Sequence, residues 1–117
     1  MTYPQWREAF ASAMDERLHT IEYLDRLVSA GHAQVWYGEK SAIVTEVRAY
    51  PTGALVIEGL VAAGDLTEIV ETLIPRAETW GKEGGCIMAR IESRAGWGRK
   101  LKSKGWEISQ TALVKTL

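Results

Sequence analysis

The residues best suited to chemistry in this sequence lie between Cys86 and Trp106. A short apolar run there is followed by Arg94 and then by a basic stretch. A guanidinium group at the end of a strand can hold a phosphate or a carboxylate, because open α/β sheets commonly bind ligands at strand ends. The structural alternative is an ion pair between Arg94 and either Glu92 or Glu46. The sequence leaves both interpretations of Arg94 open.

Two tryptophans flank the same basic stretch. Trp97 and Trp106 can form an aromatic wall for a ligand, whereas tryptophan at helical and strand positions usually packs into a core with its N–H satisfied. The chain has five tryptophans among 117 residues, and tryptophan is enriched at interaction surfaces. This content slightly favours a surface that binds another molecule.

A third candidate lies on the most apolar predicted strand. Glu58 interrupts the run Leu55–Val61, and a carboxylate in a cleft can act as a general base toward an ammonium group. A polar residue on a central strand is otherwise paired with a neighbouring cation such as Arg48. Glu58 is therefore the candidate catalytic residue, with ion pairing as the alternative.

Composition argues against several classes of protein and site. Hydrophobic residues make up 46% and charged residues 25% of the chain, which is typical of a soluble globular domain. The net charge of -1 argues against a nucleic-acid binder, although Arg and Lys cluster over 90–104. A single cysteine, and two histidines without a partner cysteine, predict no disulfide and no metal site. No apolar run reaches about 18 residues, so we expect no membrane association and a cytoplasmic protein.

Periodicity predicts a single domain over 1–117. Helical spacing of apolar residues gives way to period-two alternation, then to a central helix and a strand–helix–strand ending. Because a long helix joins the third and fourth strands, these two should be parallel and the other neighbours antiparallel. The predicted regions are N-terminal helices over 1–31, a three-stranded meander over 33–61, the central helix over 65–82, and strand, helix and last strand over 86–117, the last strand running from Trp106 to about Val114.

Local residue patterns predict where the central helix begins and where it is irregular. Asp65 is a suitable N-cap, and Glu68 stands where the partner residue of a capping box would stand. Pro75 falls inside the helix, where it removes a hydrogen bond and crowds the preceding turn. We expect a kink or a restart at Pro75.

This order of elements, together with the closing segment, resembles the GNAT fold of acyl-CoA-dependent N-acetyltransferases. More narrowly, it resembles the short GNAT-like proteins of tailed phages and prophages. The resemblance covers about residues 20–117, and it implies an α+β fold with a mixed, mostly antiparallel five-stranded sheet and helices packed on both faces. The residues that carry it are Gly85, Cys86, Arg94, Gly96, Trp97, Gly105 and Trp106.

The resemblance implies acetyl-CoA as the cofactor of an active member. The CoA diphosphate would lie where the central strand meets the helix, at backbone N–H groups freed by glycines. Here that stretch runs from Val61 to Glu68, with Gly64 as its one glycine and no basic residue. Carboxylates in the first two turns of the helix would repel a diphosphate. The cofactor-binding candidates are Val61, Ala62, Gly64, Arg94 and Trp97.

The catalytic residues of the family match less well. The resemblance leads us to expect a tyrosine as general acid four residues before Gly105, and that position holds Leu101, which cannot transfer a proton. Arg94 stands where an asparagine is expected. Tyr37 or Tyr50 are the remaining candidates for the acid, with Glu58 as the base.

Three functions stay open on the sequence. The first is a GNAT-fold protein of phage or prophage type with a degenerate acyl-CoA site and a protein-binding or virion-associated role, located in the host cytoplasm or the virion. The second is an active acetyl-CoA-dependent N-acetyltransferase. The third, a nucleic-acid-associated domain that uses the basic helix after Arg94, is weakened by the balanced charge.

Overall fold

The computed structural model describes residues 2–92, 95–110 and 112–117. Its helices and strands follow the predicted order up to the last helix. Its elements are α1 (Tyr3–Ala13), α2 (Ile21–Ser29), β1 (Ala33–Tyr37), β2 (Ser41–Ala49), β3 (Leu55–Gly64), α3 (Leu66–Glu68), a π-helical segment (Ile69–Leu73), α4 (Ile74–Glu83), β4 (Met88–Ile91) and α5 (Ala95–Lys102).

The strands form one mixed sheet in the order β1-β2-β3-β4. β1 and β3 both pair with β2 antiparallel, and β4 pairs with β3 in parallel. The predicted parallel crossover is therefore confirmed. β3 also carries a β-bulge, because Val61 pairs with Val44 and Gly59 with Thr45, which leaves Leu60 as the extra residue.

Helices cover both faces of the sheet, each with its own core. On one face, α1 and α2 bury Phe10 and Leu24 against β2. On the other face, the π-helical segment and α4 bury Leu73 and Ala77. Leu101 of α5 belongs to this second core.

The helix is irregular near Pro75, as expected, but it does not end and begin again there. The α-helical pattern gives way to π-helical hydrogen bonding over Ile69–Leu73, and α4 begins at Ile74 with Pro75 in its first turn. The backbone stays helical through Leu73 and Ile74, so Pro75 follows a π-bulge within one continuous helix, and such bulges are a common site of kinks.

The predicted fifth strand is wrong for the described residues. None of 106–110 or 112–117 belongs to a strand, and the sheet has four strands. Trp106 packs against the second core, but Ile108 beyond it is 82% exposed and Leu113 is 92% exposed. An alternating pattern forms a strand only where another strand supplies hydrogen bonds and a face to pack on.

Within the ranges that the structure describes, no helix has the length and apolar character needed to cross a bilayer.

Replacing Phe10 with alanine should show that α1 is part of the domain core. The Phe10 side chain is fully buried, so we expect Phe10→Ala to lower the free energy of unfolding by about 3–5 kcal/mol. Glu8→Ala, on the exposed face of α1, should change it little. Urea unfolding followed by circular dichroism measures both, and equal effects would contradict this account of α1.

Candidate functional site

A cleft opens where β3 and β4 separate. The two strands pair only from Val56 with Met88 to Gly59 with Ile91. Beyond Gly59, β3 continues to Gly64 alongside β2 alone, and the bulge at Leu60 lies at this divergence. The resulting cleft has a volume of about 480 Å³, within the range of small-molecule sites.

The walls of this cleft are mostly small or apolar. They come from α1, β2, β3, the central helix, the end of β4 and α5. The lining residues are Ala9, Ser12, Ala13, Ile43, Val44, Gly59, Leu60, Val61, Ala62, Ala63, Gly64, Ile69, Ile74, Ile91, Glu92 and Trp97.

The structure brings most of the predicted cofactor-binding residues to this one cleft. Val61, Ala62, Gly64 and Trp97 all line it, and their contact with a cofactor stays a prediction. Arg94, the fifth candidate, lies outside the described residues. The contribution of α1, through Ala9 and Ser12, was missed in the sequence because the resemblance begins only near residue 20.

At one end of the cleft, β3 passes into the central helix without a loop. Gly64 ends the strand with φ +101°, and Asp65 is already the N-cap of α3. The Asp65 amide donates to the Lys40 carbonyl at 3.0 Å. A Cβ on Gly64 would overlap that carbonyl and the Cα of Ser41. The glycine is thus required by the close approach of two backbones.

The predicted capping box is half right. The Asp65 carboxylate accepts from the Glu68 amide at 2.9 Å, as expected of an N-cap. The Glu68 carboxylate instead turns to the β1–β2 hairpin, where it accepts from the amides of Glu39 at 3.1 Å and Lys40 at 2.9 Å and from the Ser41 hydroxyl. The hydrogen bond from Ser41 is the main reason that the pKa of Glu68 lies below its usual value.

The hairpin is shaped to receive this carboxylate. Ser41 is completely buried, and a Cβ on Gly38 would overlap the Glu68 carboxylate. The next acidic residue of the helix, Glu71, pairs with Lys104 at 2.6 Å. Two of the carboxylates that were expected to face a diphosphate are therefore bound to other parts of the protein, and Asp65 is left at the helix start.

The candidate base Glu58 lies outside the cleft lining and is already paired. Its carboxylate accepts from the Tyr50 hydroxyl and from Arg90 Nη1 at 3.1 Å, and Arg48 Nη1 lies 3.4 Å away. Only 11% of the Glu58 side chain is exposed. The alternative of ion pairing with Arg48 is confirmed. Arg90 was missed, because only the parallel register places it opposite Glu58.

No candidate for the general acid borders the cleft among the described lining residues. Leu101 is buried in the core. Tyr37 packs against the α1–α2 core, and burial raises the pKa of its phenol. The Tyr50 hydroxyl is engaged with Glu58 and Arg90. In the described part of the chain, no group of three or more His, Cys, Asp or Glu side chains is placed to hold a metal ion.

No protein-family model and no curated protein matches this sequence, but solved structures match it along its length. The aminoglycoside 6'-N-acetyltransferase AAC(6')-IG of Acinetobacter haemolyticus superposes with a TM-score of 0.70 at 14% identity, over 97% of this chain and 90% of that one. AAC(6')-Iy in complex with CoA gives 0.69 at 13% identity, over 97% and 87%. A transcriptional regulator of Bacillus halodurans C-125 gives 0.69 at 14% identity, over 100% and 96%.

These likenesses show that the chain has a GNAT-like α+β fold. At such low identities they show the fold alone, and one fold supports many activities.

The strand-to-helix junction should tolerate no side chain at Gly64. Gly64→Ala places a Cβ against backbone atoms of the hairpin, and Gly53→Ala is the matched control, because Gly53 also has positive φ but opens to empty space. We expect Gly53→Ala to cost about 1–2 kcal/mol from the left-handed backbone alone, and Gly64→Ala to cost clearly more. Equal losses in urea unfolding would contradict the close approach of the two backbones.

The hydrogen bonds of Glu68 should make stability depend on pH. Because the folded-state pKa of Glu68 is lowered, its contribution is present above the unfolded-state value of about 4.3 and disappears as pH falls through the folded-state pKa. Glu68→Gln should therefore lower the urea midpoint at neutral pH, and the difference from wild type should shrink in acid. Glu83→Gln, at an exposed position of α4, is the control. An equal loss at both pH values would contradict this assignment.

Proposed function

We propose that this protein is a GNAT-fold binding protein that does not transfer acyl groups, and that its ligand is another protein. The observation that carries the proposal is the junction at Gly64. Where the family resemblance calls for a loop that cradles a diphosphate, the chain passes directly from strand to N-cap, and Gly64 is packed against the backbone of Lys40.

The environment of Glu58 supports the absence of catalysis. A general base must reach the proton that it abstracts. The Glu58 carboxylate has two guanidinium groups and a phenol around it and is not among the cleft-lining residues. To act as a base, it would have to give up hydrogen bonds that hold β3, β4 and the β2–β3 turn together.

The cleft itself favours the alternative, an acyl-CoA-dependent N-acetyltransferase. β3 and β4 separate beside the bulge at Leu60, and one of the similar structures, AAC(6')-Iy, is a complex with CoA. An extended thioester arm would meet the small side chains of Ala62 and Ala63 along the part of β3 that does not pair with β4. The two functions differ in one measurable property, the affinity for CoA.

We further propose, on the resemblance to phage and prophage proteins, that the protein partner is a virion or host component. Copurification from the native host, followed by mass spectrometry of purified particles, tests this part separately. A chain that is absent from particles and recovers no specific host protein would contradict it.

Isothermal titration with CoA and with acetyl-CoA should give no binding signal up to millimolar ligand. Micromolar binding of either would overturn the non-catalytic proposal and support the acetyltransferase. AAC(6')-Iy, a structural neighbour solved with CoA, is the positive control.

Asp65→Asn distinguishes two explanations for the expected lack of CoA binding, which are charge repulsion and the missing diphosphate loop. The amide keeps an oxygen that can accept from the Glu68 N–H, but it removes the charge at the helix start. If repulsion alone excludes the diphosphate, Asp65→Asn should gain measurable affinity for CoA. If Asp65→Asn still does not bind CoA, the missing loop is the reason that the diphosphate is excluded.

A further inference from the structure

α5 has a buried side and a cationic outer side. Leu101 is only 3% exposed and belongs to the second core, against which Trp97 also packs. Because a helix has about 3.6 residues per turn, Arg99 lies opposite Leu101, and Lys100 and Lys102 lie on either side of Arg99. All three are exposed. We call Arg99, Lys100 and Lys102 the basic face.

The cations of the basic face differ from most other cations of the chain. Four arginines pair with carboxylates and two lie over aromatic rings, namely Arg7, Arg17, Arg48 and Arg90 in the first group and Arg26 and Arg76 in the second. Lys104, just beyond α5, pairs with Glu71. Within residues 2–92, 95–110 and 112–117, no carboxylate forms an ion pair with the basic face. Its charges therefore remain available to an external anion.

Charge is divided unevenly along the chain. Residues 1–85 contain thirteen Asp and Glu and seven Lys and Arg, whereas residues 86–117 contain two Asp and Glu and seven Lys and Arg. The net charge of -1 thus combines an acidic body with a basic region. An anionic group is attracted at α5, while a long polyanion that extends past α5 meets the repulsion of the acidic body.

The size of the basic face also favours a small anionic partner surface. α5 has eight residues, which makes it about 12 Å long. Strong binding to duplex DNA draws on about 6–10 phosphate contacts, whereas three cations on one short helix match only a few anionic groups. A protein segment with two or three carboxylates has the matching extent.

An exposed apolar side chain lies beside α5. A Cβ on Gly98 would be 3.9 Å from Ile108 Cδ1, and Ile108 is 82% exposed. An apolar contact next to charged groups is typical of the surfaces that proteins offer to other proteins. Ile108 therefore favours a protein over a nucleic acid as the partner of this surface.

We propose that the basic face binds an acidic segment of the partner protein, in which two or three Asp or Glu side chains pair with Arg99, Lys100 and Lys102, and an apolar side chain contacts Ile108. The proposal rests on the proposed protein-binding function and names the chemistry of the partner. Because such charge pairs lie at the surface, salt should weaken the binding.

Fluorescence anisotropy with a labelled helical peptide, which carries Glu along one side and Leu beside it, tests the proposal. The first variant removes the charges of the basic face through Arg99→Gln, Lys100→Gln and Lys102→Gln together. The matched control removes three exposed charges elsewhere through Lys40→Gln, Lys82→Gln and Lys115→Gln together. Both variants have the same net charge, so a difference between them reports the position of the charges.

In about 0.1 M salt, charges more than about 10 Å apart are largely screened. We expect the basic-face variant to bind the peptide about tenfold more weakly than wild type, as three exposed ion pairs imply, and the control to stay within about twofold of wild type. Circular dichroism and urea unfolding check that both variants fold. A wild type that does not bind the peptide, or equal losses in both variants, would overturn the proposal.

A labelled DNA duplex separates the two kinds of anionic partner. Duplex binding that is tighter than peptide binding and is lost in the basic-face variant would assign the face to nucleic acid and overturn the protein partner. Ile108→Ser should weaken peptide binding, whereas Leu113→Ser, at a position that is 92% exposed, should not. Equal effects of these two changes would contradict the apolar contact.

Failure of this proposal is distinguishable from failure of the proposed function. Micromolar binding of CoA by wild type would overturn the protein-binding function itself. Peptide binding that does not distinguish the basic-face variant from its control would overturn the basic face alone.

Discussion

The unequal pairing of β3 shapes the rest of this protein. On one side β3 pairs with β2 from Leu55 to Gly64, and on the other side it pairs with β4 only from Val56 to Gly59. The bulge at Leu60 adds a residue at the point where the second partner is lost, and bulges bend and twist the strand that holds them. The cleft and the unpaired edge of β3 beside it follow from this asymmetry.

A second constraint holds the end of the cleft. The hairpin between β1 and β2 reaches the start of the central helix, where Lys40 accepts from Asp65 and Glu68 accepts from the hairpin. Glycines at positions 38 and 64 are needed because side chains there would overlap these groups. A helix start that serves in other proteins as an anion site is used here to join two parts of the fold.

Other charged residues also have partners within the domain. Glu58 is held by Arg90, Arg48 and Tyr50, and Glu71 by Lys104. The Glu58 carboxylate is nearly buried, and removing one partner of a buried ion pair leaves an uncompensated charge. The Glu71–Lys104 pair is exposed, and such pairs contribute little to stability. Charged residues of this GNAT-like fold thus make contacts that join its elements.

The sequence by itself determined the features that depend on near neighbours. Asp65 caps α3, the helix is irregular next to Pro75, and the change to period-two alternation locates the start of the sheet. Each of these rests on contacts within a turn or on the pattern of one strand, which residue types alone can specify.

Only the tertiary structure decided which groups meet across the chain. Glu68 binds Glu39, a residue 29 positions away, rather than its own N-cap, and Glu58 binds Arg90, 32 positions away. The alternation after Trp106 predicted a strand that the described chain does not form, because a strand requires a partner edge as well as a pattern. Such pairings depend on topology and register, and a one-dimensional pattern does not contain them.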